Sequence, residues 1–345
     1  MIDIFNMFIV GCKITKNVVS LTQKKMEKQF QLYAAPLQGL TEPAWRNAHW
    51  QTIGGVDAYF TPFVRWEKGG IRNKDRRDVA PSSNSVHRLI PQVLAAEAGE
   101  FRQLVDWLQK LGYGEVDLNM GCPFPLLVRK GRGAGILSHP DRVASLLDAM
   151  EDFPGVRFSV KMRLGEVLPE EWKELLPLLN ASVVERITLH PRVGRQQYKG
   201  EVDKEQFRAF YEQCTKPLVY NGDIMTAAQG RAWLDEFPRL EGLMLGRGLV
   251  ARPTLALEIR SGEEVSATDL YARVALMHRQ LVAAYMERIE GGELQLVQKL
   301  QPLWEYLLPD LPKKQRKAIL KAHKVEAYLQ CVREALEAVG VTEES

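Results

Sequence analysis

The sequence predicts an α/β protein, a (β/α)8 (TIM) barrel followed by a C-terminal all-helical domain, and three observations carry that prediction. Eight short apolar runs alternate with amphipathic stretches between residues 31 and 245. Strand signals stop near residue 263, and residues 267–338 show helical spacing alone. Polar residues stand at the C-terminal end of nearly every apolar run, where barrels of this kind keep their chemistry.

The strand candidates are 32–35, 58–61, 89–94, 116–119, 158–162, 186–190, 218–221 and 242–245. Between them, 98–111, 140–152, 169–180, 203–213 and 226–236 place apolar residues at helical spacing. Two of these carry start signals, Pro140-Asp141 ahead of "RVASLL" and Thr226 ahead of "AAQGRAWL". Eight strands, each followed by a helical stretch, over about 230 residues fit a closed barrel better than an open sheet. The helical region breaks at "EGGE" (290–293) and "LPDLP" (308–312). The expected division is an N-terminal extension over 1–29, a barrel over 30–262 and a helical domain over 263–345.

Composition is ordinary for a globular chain, 46% hydrophobic and 26% charged, enough for one large α/β domain and a smaller one. A net charge of +3 is too mild to demand a polyanionic partner, so the placement of the cations matters more than their sum. Cys12, Cys122, Cys214 and Cys331 form no CxxC, which argues against a disulfide framework or a zinc site, and no metal is expected. The apolar run in "MIDIFNMFIVGC" is too short to span a bilayer, and "IVGC" lacks the basic residues that precede a lipoprotein cleavage site. Met26 opens "MEKQFQLYAAP", which reads as the natural start of a cytoplasmic protein, with 1–25 an extension without function. A monomer free of membrane association is expected.

The strand ends read as follows. Strand one ends in Ala35-Pro36, strand three carries Gln92, and strand four ends in Asn119 with Cys122 just beyond. Strand five ends in Lys161 and Arg163, six in His190, seven in Asn221-Gly222-Asp223, and eight in Gly246-Arg247-Gly248. "YNGDI" and "MLGRG" put glycines where a backbone must approach a ligand, ahead of helices whose N-termini favour an anion. A phosphate is expected there, although Gly222 or Gly246 alone would explain no more than a turn. "GRGAG" (131–135) follows a loop and lacks the GxGxxG spacing, so a nicotinamide would have to bind without a Rossmann module. Lys161 beside His190 suits an electron-rich ring nitrogen or carbonyl, and a flavin offers both. Cys122, between Gly121 and Pro123, suits a nucleophile or a proton donor. No histidine adjoins it in sequence, which favours general acid catalysis, although His190 could approach in space. A lone Cys is more commonly a packing residue; Asn119 beside it argues otherwise, suggesting a base edge read by the amide while the thiol faces its carbon.

These residues carry a resemblance. From Tyr33 to about residue 336 the chain resembles the tRNA-dihydrouridine synthases: "APLQGLTEPAWR", "DLNMGCPFPLLVRKGRGAGIL", "VKMRLG", "LHPRVGRQQYKG", "YNGDI" and "MLGRGLVARP" follow in family order. It departs at Leu37, where a Met is usual, at Pro191 and Val193 after His190, and at Ala95-Ala96, where a Gly often stands. The resemblance implies a flavin mononucleotide (FMN) in the barrel mouth, reduced by NADPH. Pro36, Leu37, Gln92, Lys161 and His190 would line its ring system, and Asn221, Gly222, Asp223, Gly246 and Arg247 would hold its phosphate. It further implies hydride transfer to C6 of a uracil and protonation of C5 by Cys122. Asn119 would position the base, with Lys161, Arg163 and His190 steadying its carbonyls.

A uridine in folded RNA must be turned out of its stack, so the tRNA partner implied by the resemblance needs a basic surface around the mouth. Arg65, Lys68, Arg72, Lys74, Arg76 and Arg77 follow strand two; Arg129, Lys130 and Arg132 follow strand four; Arg192, Arg195 and Lys199 follow strand six. In the helical domain, Lys313, Lys317, Lys321 and Lys324 fall on one helical stripe suited to phosphates, whereas Trp304 and Tyr306 read as core. Two other functions stay open at this stage: a flavin barrel acting on a free pyrimidine, as dihydroorotate dehydrogenases do, and an RNA-binding protein whose barrel no longer catalyses.

Overall fold

The computed structural model describes residues 30–337, positions 68 and 290 excepted. The expectations for 1–29 and for Lys68 lie outside the described residues. Among these residues eight parallel strands form the barrel: β1 (Gln31–Ala34), β2 (Ala58–Phe60), β3 (two pieces, Leu89–Ile90 and Gln92–Val93), β4 (Glu115–Met120), β5 (Arg157–Gly165), β6 (Arg186–Val193), β7 (Leu218–Tyr220) and β8 (Leu240–Leu245). Pro91 splits β3 because it has no N–H to give the ladder. The piece before it pairs with β2 and the piece after it with β4, so the barrel closes through a single broken strand.

All eight expected strands are present. Strands β4, β5 and β6 run further than their apolar cores suggest, to Met120, Gly165 and Val193, because polar inward-facing residues continue the ladder. Helix Pro43–Thr52 was not expected from the sequence. Its buried face includes Arg46 and His49, which hydropathy counts as exposed. Arg46 instead donates to the carbonyls of Thr41 and Asp78, and His49 bonds Tyr59 Oη and Pro253 O. Thr226 starts helix Ala227–Glu236 as expected, and Gln229 completes a capping box with it.

The barrel interior is divided by chemistry. Tyr33, Ala35, Ala58, Phe60, Ile90, Val219 and Met244 make an apolar half on β1, β2, β3, β7 and β8. On the other half, register pairs Asp117 with Ser159, Asn119 with Lys161 and Arg163 with His190, stacking polar residues on the inner face of β4, β5 and β6. The two-residue alternation of a strand places them there.

Beyond the barrel come helices Ala267–Arg288, Gly292–Leu300, Lys313–Lys321 and Val325–Glu337. The first packs on Pro43–Thr52. Trp304 is buried, as expected, and donates to Tyr328 Oη at 2.8 Å. Helix Lys313–Lys321 ends before Lys324, so the expected four-lysine stripe is three lysines long on this helix. No helix among the described residues is long and apolar enough to cross a membrane. None of their His, Cys, Asp or Glu residues cluster to hold a metal.

Candidate active site

A cavity opens at the C-terminal ends of the strands, with about 140 Å³ of space for water centres. That is room for on the order of ten waters, far beyond a packing defect. Its wall brings together Pro36, Leu37, Gln92, Asn119, Cys122, Lys161, Arg163, His190, Asn221, Gly222, Asp223, Gly246 and Arg247, residues drawn from seven strand ends. Arg195 lies outside it, exposed on the turn Gly194–Gln196. Lys313, Lys317 and Lys321 are exposed on their helix, with no carboxylate partner among the described residues.

Cys122 is built into this wall by its neighbours. Asn119 Oδ1 accepts from the backbone N–H of Gly121 and of Cys122, at 3.1 and 2.9 Å. Arg163 Nε donates to Gly121 O at 2.9 Å, and Ala134 N donates to Cys122 O at 3.0 Å. The thiol packs beside Phe63, Leu94 and Leu127. Gly133, at φ +60°, lets the chain pass beneath: a Cβ there would sit 2.6 Å from Cys122 O. "GRGAG" is thus a packing device for the cysteine loop. Burial pushes the thiol above its ordinary pKa, against the pull of the Phe124 backbone and of Arg163 and Lys161. The sulfur carries its proton at neutral pH.

The wall contributed by β5 and β6, adjoining the cysteine loop, is cationic. Lys161 has no ion-pair partner among the described residues, and burial followed by the charge of Arg163 lowers its pKa to about 8. Burial, then Arg163, Lys161, Arg192 and Arg247, holds His190 well below the usual range, so its ring is neutral. Arg192 Nη1 approaches His190 Nε2 at 3.0 Å. A guanidinium can only donate, which fixes Nε2 as the acceptor and leaves the ring proton on Nδ1. Arg163 and Arg247 lie 5.5 and 4.8 Å from the Tyr198 ring centroid. A surplus of cations suits an anionic ligand.

Several residues take parts that the sequence reading did not give them. Arg192, expected on the RNA-facing surface, is buried between His190, Gly200 O and Asp223. The register slips at this point: Arg163 pairs with His190 but Gly165 with Val193, so β6 carries one extra residue, beside Pro191. Asp223 spends its carboxylate on Arg192 and, at 2.6 Å, on Arg247. Those bonds and charges hold its carboxyl below the usual range although burial works the other way. It orients cations and has little left with which to meet a phosphate. Asn119 spends its oxygen on the cysteine loop and one N–H on Gln92 at 2.6 Å, which leaves one N–H for a ligand. Arg65, Arg72, Lys74 and Arg132 pair with Glu67, Asp75, Glu42 and Glu100, so part of their charge is spent within the protein. Arg129, Lys130, Arg195 and Lys199 remain exposed. Tyr198, half exposed on the cavity wall, went unnoticed in sequence because nothing marks one tyrosine in a loop as a platform for two arginines.

The glycines after strand eight differ in their surroundings. A Cβ on Gly248 would lie 1.9 Å from Ile224 O, so that glycine serves the packing of the chain on itself, whereas one on Gly246 would meet only Ala35 Cβ at 3.7 Å and Leu37 at 4.0 Å.

A model of the dihydrouridine synthase (Dus) family matches residues 33–335. Among curated proteins, the chain is 29% identical over 268 residues to tRNA-dihydrouridine synthase B of Klebsiella pneumoniae, covering 75% of this chain and 80% of that one. It is 27% identical over 228 residues to a probable tRNA-dihydrouridine synthase of Staphylococcus aureus, covering 64% and 68%. Among solved structures, morphinone reductase superposes with a TM-score of 0.50 at 13% identity, over 68% of this chain and 87% of that one, a likeness of fold.

Proposed function

Because the chain belongs to the dihydrouridine synthase family, oxidoreductases acting on a carbon–carbon double bond, we propose that it reduces the C5–C6 bond of uridines in tRNA, using FMN and NADPH. The observation that carries the reading is the Cys122 thiol, fixed by its loop on the wall of a cation-rich cavity. The donor set fits the cofactor. Lys161, Gln92 and the Nδ1–H of His190 offer hydrogen bonds to a ring system rich in carbonyls and ring nitrogens. Arg247, the backbone around Gly222 and the open mouth at Gly246 suit its phosphate.

When bound, the flavin supplies hydride to C6 of the uracil. The residues of the chain do the rest. Cys122 gives its proton to C5, a step in which a positioned acid is worth about 10²–10⁴-fold. Asn119 presents its remaining N–H to a base carbonyl. Lys161, with three N–H donors, also gives a hydrogen bond to a base oxygen that gains charge as the double bond is reduced. Exposed Arg129, Lys130, Arg195, Lys199 and the lysines of helix Lys313–Lys321 meet tRNA phosphates, helping to offset the few kcal/mol needed to turn the uridine out of its stack.

The test is incubation of the purified protein with an unmodified tRNA transcript and NADPH, with dihydrouridine counted by mass spectrometry and the flavin followed by absorbance. Dihydrouridine in the tRNA and a yellow protein are expected. A colourless protein, or equal turnover of free uracil, would overturn the reading in favour of an RNA-binding barrel or a free-pyrimidine reductase.

A further inference from the structure

We propose that Asp117, a buried carboxylate in the barrel core, is a positioning residue that sets the direction of a hydrogen-bond chain ending on the Cys122 loop. The inference rests on the proposed reaction. The chain begins where Ser159 Oγ donates to Asp117 Oδ1 at 2.6 Å. Gln92 Nε2 donates to Asp117 Oδ2 at 2.7 Å, Asn119 Nδ2 donates to Gln92 Oε1 at 2.6 Å, and Gly121 N and Cys122 N donate to Asn119 Oδ1. Asp117 and Gln92 are fully buried, and Ser159 and Asn119 nearly so.

The chemistry of the two ends makes this chain directional. An ionised carboxylate only accepts, so it requires Gln92 to turn its NH2 inward and its oxygen outward. Asn119 must then face Gln92 with its NH2, which leaves its oxygen for the two backbone N–H groups of the cysteine loop. The loop end imposes the same sense, because backbone N–H groups only donate. If Gln92 turned over, either two NH2 groups would meet or Asn119 would aim its NH2 at Gly121 N and Cys122 N. In both cases buried donors lose their partners and the thiol loses its anchor. A 1 Å displacement of a reacting group can cost about 10²-fold in rate. Asp117 touches no ligand; it acts through Gln92 and Asn119.

Near-isosteric substitutions test this without emptying the core. In Asp117→Asn the new amide still accepts from Gln92 with its oxygen and gives its NH2 to Ser159, whose hydroxyl turns to accept. In Ser159→Ala the carboxylate still accepts from Gln92. Only the double variant leaves a buried NH2 without an acceptor in the native sense, so the amides can turn over. The readouts are single-turnover oxidation of the reduced protein by tRNA, flavin reduction by NADPH, and alkylation of Cys122 by iodoacetamide followed on its own peptide. Each single variant is expected to slow tRNA reduction by about threefold or less. The double variant is expected to slow it tenfold or more beyond their product and to alkylate several-fold faster, with flavin reduction slowed by a much smaller factor. Additive effects, equal losses in both half-reactions, or Asp117→Asn alone matching the double variant would overturn the proposal. If the wild-type protein is not oxidised by tRNA, the proposed function fails, while the alkylation rates still decide whether the chain holds the loop.

Discussion

Lys161 is the ionisable group of the cavity whose charge changes nearest to neutrality. Its pKa falls from 10.5 to about 8 through burial and then through Arg163, whereas the Cys122 thiol is pushed up from its ordinary value. As pH rises through about 8 the lysine therefore loses its charge while the acid keeps its proton. Turnover on tRNA is predicted to fall along that limb, and Lys161→Arg should move the limb to higher pH in a pH–rate profile. An unmoved limb would remove Lys161 from the mechanism. Stability of the ligand-free protein has the opposite sign. Between about 8 and 10.5 the unfolded chain holds a proton on this lysine that the folded chain does not, so this group makes folding more favourable as pH rises through that window. A chemical-denaturation series across it checks the sign.

The barrel strands and the basic helix divide the work between chemistry and docking. Strands β4, β5 and β6 present polar residues at every second position, but it was their place at the C-terminal ends of the strands that made Asn119, Lys161, Arg163 and His190 readable in the sequence as one group. Their hydrogen-bond partners were not readable, because they lie far along the chain. Glu100 neutralises Arg132, Asp223 draws Arg192 inward, and Gln92 occupies Asn119. Local spacing reports which face a side chain takes, not what waits there. Helix Lys313–Lys321 is the converse case: its lysines are exposed and have no carboxylate partner among the described residues, as a phosphate-facing stripe requires, while Arg316 turns inward to the carbonyls of Trp304, Leu307 and Leu308. Replacing Lys313, Lys317 and Lys321 together by Gln should make the log–log salt dependence of tRNA binding shallower by about two to three, with flavin reduction by NADPH unaltered. An unchanged slope would place the RNA elsewhere.

At the scale of the whole molecule, the barrel and the helical region are tied through Glu42, at the start of helix Pro43–Thr52. Its buried carboxylate meets Lys299 at 2.7 Å, Lys74 at 3.1 Å and Arg288 at 3.4 Å. Burial works to raise its pKa, but Lys299 and Lys74 bring it down to about 2. A depressed carboxylate contributes stability above its ordinary 4.5 and loses that contribution as pH falls toward 2. Glu42→Gln should cost about 2–4 kcal/mol in urea unfolding at neutral pH, with the gap to wild type closing in acid; equal stability at neutral pH would show the cluster to be idle. The fold class, the eight strands and the cavity residues were legible because each rests on periodicity or on a contiguous motif. This junction was not, since its four members lie on separate segments between residues 42 and 299. Cys122 as the proton donor is the centre of the proposed reaction. The decisive measurement is single-turnover oxidation of NADPH-reduced protein by unmodified tRNA, wild type against Cys122→Ala. A rate lower by about 10²–10⁴-fold with the flavin spectrum intact is predicted; an unchanged rate would contradict it.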